Sequence, residues 1–121
     1  MRLRVLIAGS RTYANYENLK RVCDLQLRQL DEVEIISGGA RGADRLAIRY
    51  AEENQLKLTI VKPDWKTFGK AAGFVRNAAM IEFADLVIVF WDGKSTGTKH
   101  AIALARLRKI KVIINFFKED A

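Results

Sequence analysis

The sequence predicts an α/β domain built on a doubly wound parallel sheet of about five strands, order 3-2-1-4-5, with helices on both faces. Three observations carry this prediction. Short apolar runs alternate with stretches whose apolar residues recur every three or four positions, giving the order βαβαβαβαβ, and such alternation makes a parallel sheet with right-handed crossovers. The strand-like runs are apolar almost without interruption, as strands covered on both faces are. The turns after the first, second and fourth strands carry glycine, whereas turns at the opposite rim, Leu30-Asp31-Glu32 and Asn54-Gln55, carry none. In an open sheet of this order the crevice lies at the carboxyl ends of strands one and four, which is the rim the glycines occupy.

Taken in order, Leu3 to Ala8 is the first strand, interrupted only by Arg4, and Gly9-Ser10-Arg11 ends it. Asn15 or Asn18 caps a first helix running to about Leu30, with Leu19, Val22, Cys23, Leu27 and Leu30 on its apolar stripe. Val33 to Ser37 is the second strand. The loop Ser37-Gly38-Gly39-Ala40-Arg41-Gly42-Ala43-Asp44 then opens a second helix, about Asp44 to Asn54, with Leu46, Ala47, Tyr50 and Ala51 facing inward. Leu56 to Val61 is the third strand, and Lys62 to Gly69 is an irregular loop holding Pro63, Asp64 and Trp65. A third helix, roughly Lys70 to Phe83, has Phe74, Ala78, Met80 and Ile81 as apolar positions. Asp85 to Phe90 is the most hydrophobic strand and therefore a central one. Trp91 to Gly97 is a polar loop, Thr98 to Lys109 the fourth helix, and Lys111 to Phe116 the last strand, ahead of a short acidic tail.

The 121 residues amount to one domain, 1–121, with half of them hydrophobic and a single proline, so a disordered chain is excluded. No apolar run reaches the ~18 residues of a membrane span, and Met1-Arg2-Leu3-Arg4-Val5 lacks the features of a signal peptide. The lone Cys23 has no partner for an internal disulfide and fits a buried helix position in a reducing, cytoplasmic setting. The formal net charge is +7, which points to nucleic acid, nucleotides or other polyanions as partners rather than a membrane. Arg106, Arg108 and Lys109 complement the end of the fourth helix, whereas Lys94 and Lys99 oppose its dipole at the start; an anionic ligand would explain them.

The loop from Ser37 to Asp44 carries the main site argument. Gly38, Gly39 and Gly42 free the backbone for positive φ and close approach. The helix that follows offers unpaired N–H groups and the positive end of its dipole, and Arg41 adds a fixed charge. Gly9, Ser10 and Arg11 belong to the same rim, as do Ser95, Thr96, Gly97 and Thr98, which serve equally as helix caps. Trp65 and Trp91 suit the core or a subunit interface, or stacking on a base. Gly93-Lys94-Ser95-Thr96 mimics a P-loop end, but the first glycine of that motif would fall at Ile88, inside a strand, and no Gly-x-Gly-x-x-Gly follows the first strand. One His and one Cys, far apart, make no zinc site. Ser10 has no evident base, and His100 lies near the start of the fourth helix.

With these motifs in order, the chain resembles the SLOG superfamily, which joins Smf/DprA proteins, LOG phosphoribohydrolases and YspA-like (YpsA-related) proteins. The resemblance rests on Gly9-Ser10-Arg11, the Ser37–Asp44 loop, Arg76-Asn77 with Met80-Ile81, Ala84-Asp85, and Ser95-x-Gly97-Thr98 with Ala101-Ile102. Gly-Ala-Arg-Gly-Ala-Asp-Arg-Leu-Ala and Phe90-Trp91-Asp92-Gly93 look most like the small YspA-like branch. The resemblance implies a Rossmann-like fold binding a nucleotide or nucleotide-derived ligand, of ADP-ribose, NAD or nucleoside-phosphate type, with no resident cofactor or metal. It implies ligand contacts at Gly9, Ser10, Arg11, Gly38, Gly39, Ala40, Arg41, Gly42, Asp44, Arg76, Asn77, Ser95, Thr96, Gly97 and Thr98. Two alternatives come with it: LOG-type N-glycosidase or transferase activity, and DprA-like binding of single-stranded DNA. Against the first, Asn77 replaces the LOG lysine and Ala101 stands where the catalytic glutamate belongs, leaving Asp44, Asp64 and Asp92 as the nearby carboxylates; no catalytic residue is assigned. SLOG relatives also imply a homodimer or higher homo-oligomer, with Phe116-Phe117 near a sheet edge.

Overall fold

The computed structural model describes residues 2–118; the acidic tail expected at 119–121 lies outside the described residues. Five parallel strands, β1 (Leu3–Gly9), β2 (Val33–Ser37), β3 (Lys57–Ile60), β4 (Leu86–Trp91) and β5 (Lys111–Phe116), form one sheet in the order β3-β2-β1-β4-β5. β1 lies at the centre, in register with β2 from Leu3↔Val33 and with β4 from Val5↔Leu86 to Gly9↔Phe90.

The continuous hydrophobicity of the strands has a direct reason. Side chains alternate across a sheet, and here both faces are covered. Val5 and Ile7 point into a core shared with α1 (Tyr16–Leu27) and α2 (Ala43–Glu53). Leu6 and Ala8 point into a second core with α4 (Ala72–Phe83) and α5 (Thr96–Leu107). Tyr13 stacks on Phe90 at 4.9 Å and meets the edge of Phe117 at 4.8 Å, so Phe117 joins the first core while Phe116 remains 69% exposed. Cys23 is fully buried, and burial pushes its thiol up to about 12.

Of the two cap candidates Asn15 holds the position, its side chain accepting the Asn18 N–H at 3.0 Å. α1 stops at Leu27 rather than Leu30, and Leu30 is exposed, because the chain must reverse before β2 opens at Val33. The expected loop at 62–69 contains a one-turn helix, α3 (Trp65–Phe68), capped by Asp64 through the Thr67 N–H at 3.1 Å. A 3₁₀ turn, Gly69–Ala71, carries the chain into α4. On α4 the apolar stripe differs from expectation: Phe74 and Ala78 are exposed, and Ala72, Asn77, Met80 and Ile81 are buried. No helix among the described residues is long and apolar enough to cross a membrane.

Candidate functional site

β1 and β4 part at their carboxyl ends, and the loops that leave them fix one another. The Ser10 N–H donates to the Phe90 carbonyl at 2.9 Å, and the Ser10 carbonyl accepts the N–H groups of Tyr13 and Ala43, both at 3.2 Å. A Cβ on Gly9 would collide with the Phe90 carbonyl oxygen and lie 2.8 Å from the Ala43 Cβ. Gly42 has φ +81°, and its Cβ would strike the Ser10 carbonyl and the Arg11 backbone. Small residues at these two positions therefore let the β1 loop close onto the start of α2.

The glycine loop is held from both ends. The Ser37 hydroxyl donates to the Asp44 carbonyl at 2.8 Å and accepts the Gly39 N–H at 3.2 Å, and Asp44 Oδ2 accepts the Ala40 N–H at 3.2 Å. Arg76 reaches in from α4: its Nη1 donates to the Gly38 carbonyl at 2.7 Å and its Nε to Asn77 Oδ1 at 3.2 Å. Gly38 makes room for this, since a Cβ there would come 2.6 Å from Arg76 Nη1 and 2.8 Å from Asp44 Oδ2. Asp44 is 6% exposed, and burial pushes its carboxyl up to about 6 against the pull of the Ala40 N–H and the charges of Arg76 and Arg11.

On the other side of the crevice, Asp92 closes the β4–α5 loop. Its carboxylate accepts the N–H groups of Lys94 and Ser95, both at 2.8 Å, and the Ser95 hydroxyl at 2.9 Å. Desolvation raises the Asp92 carboxyl, but these N–H groups and the Ser95 and Ser10 hydroxyls outweigh it and hold it well below the ordinary range. Ser10 Oγ accepts the Asp92 N–H at 3.1 Å and lies 3.0 Å from Ser95 Oγ. Ser95 thus spends its side chain on Asp92, and no side chain caps α5, whose first-turn N–H groups are left for another acceptor. Asn77 ties α4 to α5 through the Gly97 carbonyl at 3.1 Å.

Two adjoining hollows result, of about 470 Å³ and 480 Å³. The inner one is lined by Gly9, Ser10 and Arg11, by Ala40 and Asp44, by Arg76 and Asn77, and by Ser95 through Thr98. The outer one is lined by Gly38, Gly39, Ala40 and Arg41, and shares Arg11, Ala40, Trp65 and Arg76 with the inner. Of the residues expected from sequence, Gly42 lines neither; its part is the loop packing described above. Residues that sequence reasoning did not assign to the site complete the walls: Lys70 and Phe74 in the inner hollow, Arg45, Lys62 and Pro63 in the outer. No periodic signal marked Phe74, since it stands two residues from Arg76, roughly 200° round the helix, and both nonetheless line the inner hollow. Trp65 is 55% exposed at the junction, not in the core. Trp91 is half-buried, its indole N–H donating to the Ser95 carbonyl at 3.1 Å.

Lys94 and Lys99 line neither hollow, so a ligand there does not account for their placement. His100 packs against Phe74 at 4.4 Å with Nδ1 3.4 Å from Asn77 Nδ2, and burial lowers its pKa. Asp64 is spent on the α3 cap. No carboxylate among the described residues pairs with Arg11, Arg41, Arg45, Lys62 or Arg76. The arrangement therefore presents cations and helix N–H groups to an anion, with exposed rings beside them. Ala101 lines the inner hollow.

Fold and cleft together define a doubly wound α/β domain with a cationic, glycine-lined crevice at its topological switch point. Within that class, the chain belongs to the YspA, cpYpsA-related SLOG family, whose YAcAr model matches residues 3–68. It is similar to the Gene 61 protein of Mycobacterium phage D29, 35% identical over 117 residues covering 91% of this chain and 94% of that one. The fold is also that of DNA processing protein A from Helicobacter pylori, a structure described for its single-stranded DNA binding mode, with a TM-score of 0.73 at 22% identity. That match covers 93% of this chain, which spans 64% of the longer protein.

Proposed function

We propose that this domain binds single-stranded DNA along the paired hollows. The observation that carries the proposal is the junction at Trp65: an exposed indole lines both hollows, and so do Arg11 and Arg76. Non-specific single-strand binding combines a basic track for the backbone with aromatic faces on which bases stack. Here Arg11, Arg41, Arg45, Lys62 and Arg76 supply the track, and Trp65 with Phe74, 48% exposed, supplies the faces. The likeness to a fold described for binding single-stranded DNA supports the same reading.

A second reading is favoured by one specific feature. The uncapped start of α5 at Thr96, Gly97 and Thr98 faces the inner hollow, which suits the phosphate of a nucleotide or a nucleotide-derived ligand.

Fluorescence anisotropy with labelled oligothymidylate at low and rising salt tests the first reading. Binding whose logarithm falls linearly with log salt is expected. Trp65→Ala should weaken it by roughly 5- to 150-fold, the equivalent of about 1–3 kcal/mol of stacking on one base. No binding at the lowest salt, with thermal stabilisation by free nucleotides instead, would replace the first reading by the second.

A further inference from the structure

The two hollows differ in charge. Asp44 and Asp92 both line the inner one, where Arg11, Lys70 and Arg76 are the cations. The outer one carries Arg11, Arg41, Arg45, Lys62 and Arg76 and no acidic residue. Each volume lies in the ~300–1000 Å³ range of small-molecule sites, so each suits an occupant of about one nucleotide. They are not separate sites, because Arg11, Ala40, Trp65 and Arg76 belong to both. The start of α5 lines only the inner hollow and Arg41, Arg45 and Lys62 line only the outer one, while Arg11 and Arg76 belong to both.

We infer that the smallest occupant filling the site is a dinucleotide segment: one nucleotide seated in the inner hollow, and the adjoining phosphodiester carried past the shared Arg11 and Arg76 into the outer hollow, against Arg41, Arg45 and Lys62. This rests on the reading that the cleft binds single-stranded DNA, and it adds a length requirement which that reading lacks. The outer hollow supplies the excess positive charge. The inner hollow, lined by two carboxylates as well as its cations, offers a phosphate less. The indole of Trp65 at the shared wall is positioned to meet a base at the step between the two nucleotides.

The probes are thymidine 5′-monophosphate and the dinucleotide pTpT, titrated into wild type and the Arg45→Ala/Lys62→Ala double variant by calorimetry at low salt. Both side chains are exposed, and a thermal melt checks that the variant remains folded. In wild type pTpT should bind at least tenfold more tightly than the monophosphate, beyond the factor of about two that a second identical unit gives statistically. In the double variant this ratio should fall toward two. Equal affinities in wild type, or an unchanged ratio in the variant, would overturn the inference and leave single-strand binding standing. Failure of wild type to bind either these probes or a longer oligothymidylate would remove both.

Discussion

Asp44→Asn isolates the electrostatic cost built into the cleft. Asp44 is 6% exposed, and its carboxyl sits at about 6 rather than the ordinary 3.8, chiefly through desolvation. Below pH 3.8 the group is protonated in both the folded and the unfolded chain and costs nothing. Between 3.8 and about 6 the unfolded chain releases the proton while the folded one keeps it, so stability falls as pH rises. Above about 6 the full cost is present. At about 1.4 kcal/mol per pKa unit, the gap corresponds to roughly 3 kcal/mol. Asparagine removes the charge and keeps a side-chain oxygen for the Ala40 N–H, which now lies 3.2 Å from Asp44 Oδ2. The variant should therefore match wild type near pH 4 and exceed its unfolding free energy by roughly 2–3 kcal/mol at pH 8. Urea denaturation at pH 4, 6 and 8 measures this. A variant less stable than wild type at pH 8 would refute the reasoning, because it would mean that Arg76 and Arg11 stabilise the carboxylate by more than burial penalises it. A natural residue that costs stability would also fit a site that trades stability for function; on the proposed reading Asp44→Asn tightens oligothymidylate binding at pH 8, since the negative charge that interacts with Arg76 and Arg11 is gone.

Two further expectations follow from the loop packing and the core. Gly42→Ala should destabilise the domain by about 2 kcal/mol or more, since it adds a Cβ at φ +81° against the backbone of Ser10 and Arg11; an unchanged urea midpoint would show that the loops can separate freely. Cys23 should resist a thiol reagent such as DTNB at pH 8 until the chain is unfolded, its thiol being buried and pushed up to about 12; labelling of the native protein at the rate of a free thiol would place Cys23 outside the core.

The parallel order and the rim that carries the loops were legible because both follow from strong local signals. Continuous apolar runs mean double-sided burial, and β1 sends Val5 and Ile7 one way and Leu6 and Ala8 the other. Glycines at 9 and 42 mark close approaches to backbone atoms that no other residue permits. What was not legible depends on longer-range geometry. Arg45 and Lys62 come from a helix and a loop far apart in sequence and meet only across the outer hollow. The single turn at Trp65–Phe68 is too short to show a period, although Asp64 three residues before Thr67 was a readable cap. Phe74 misled because apolar periodicity reports which residues avoid water on average, and a residue beside a cleft can be apolar for a ligand's sake rather than the core's. Lys94 and Lys99 misled in the opposite sense: charges against a helix dipole need a reason, but a screened surface position costs only about 0.3–1 kcal/mol and needs no ligand to offset it.

The division of labour inside the cleft has a consequence for specificity. Among the described residues no buried side-chain nitrogen or oxygen lacks a hydrogen-bond partner, and the floor made by Ser10, Asp92, Ser95, Asp44 and Ser37 is bonded to itself. On the proposed reading, an incoming strand would need to break none of these bonds, which keeps the cost of binding low. The same closure means that the floor has few free groups with which to read a base edge. What the walls offer beside these bonds is chiefly positive charge, helix N–H groups and the faces of Trp65 and Phe74, which favour phosphates and base faces over base edges. A cleft built this way should discriminate strongly by strand length and salt and weakly by sequence. Oligothymidylate and oligoadenylate of equal length would then differ in affinity by no more than their stacking strengths, and a marked preference for one sequence would require polar groups that this floor does not leave unpaired.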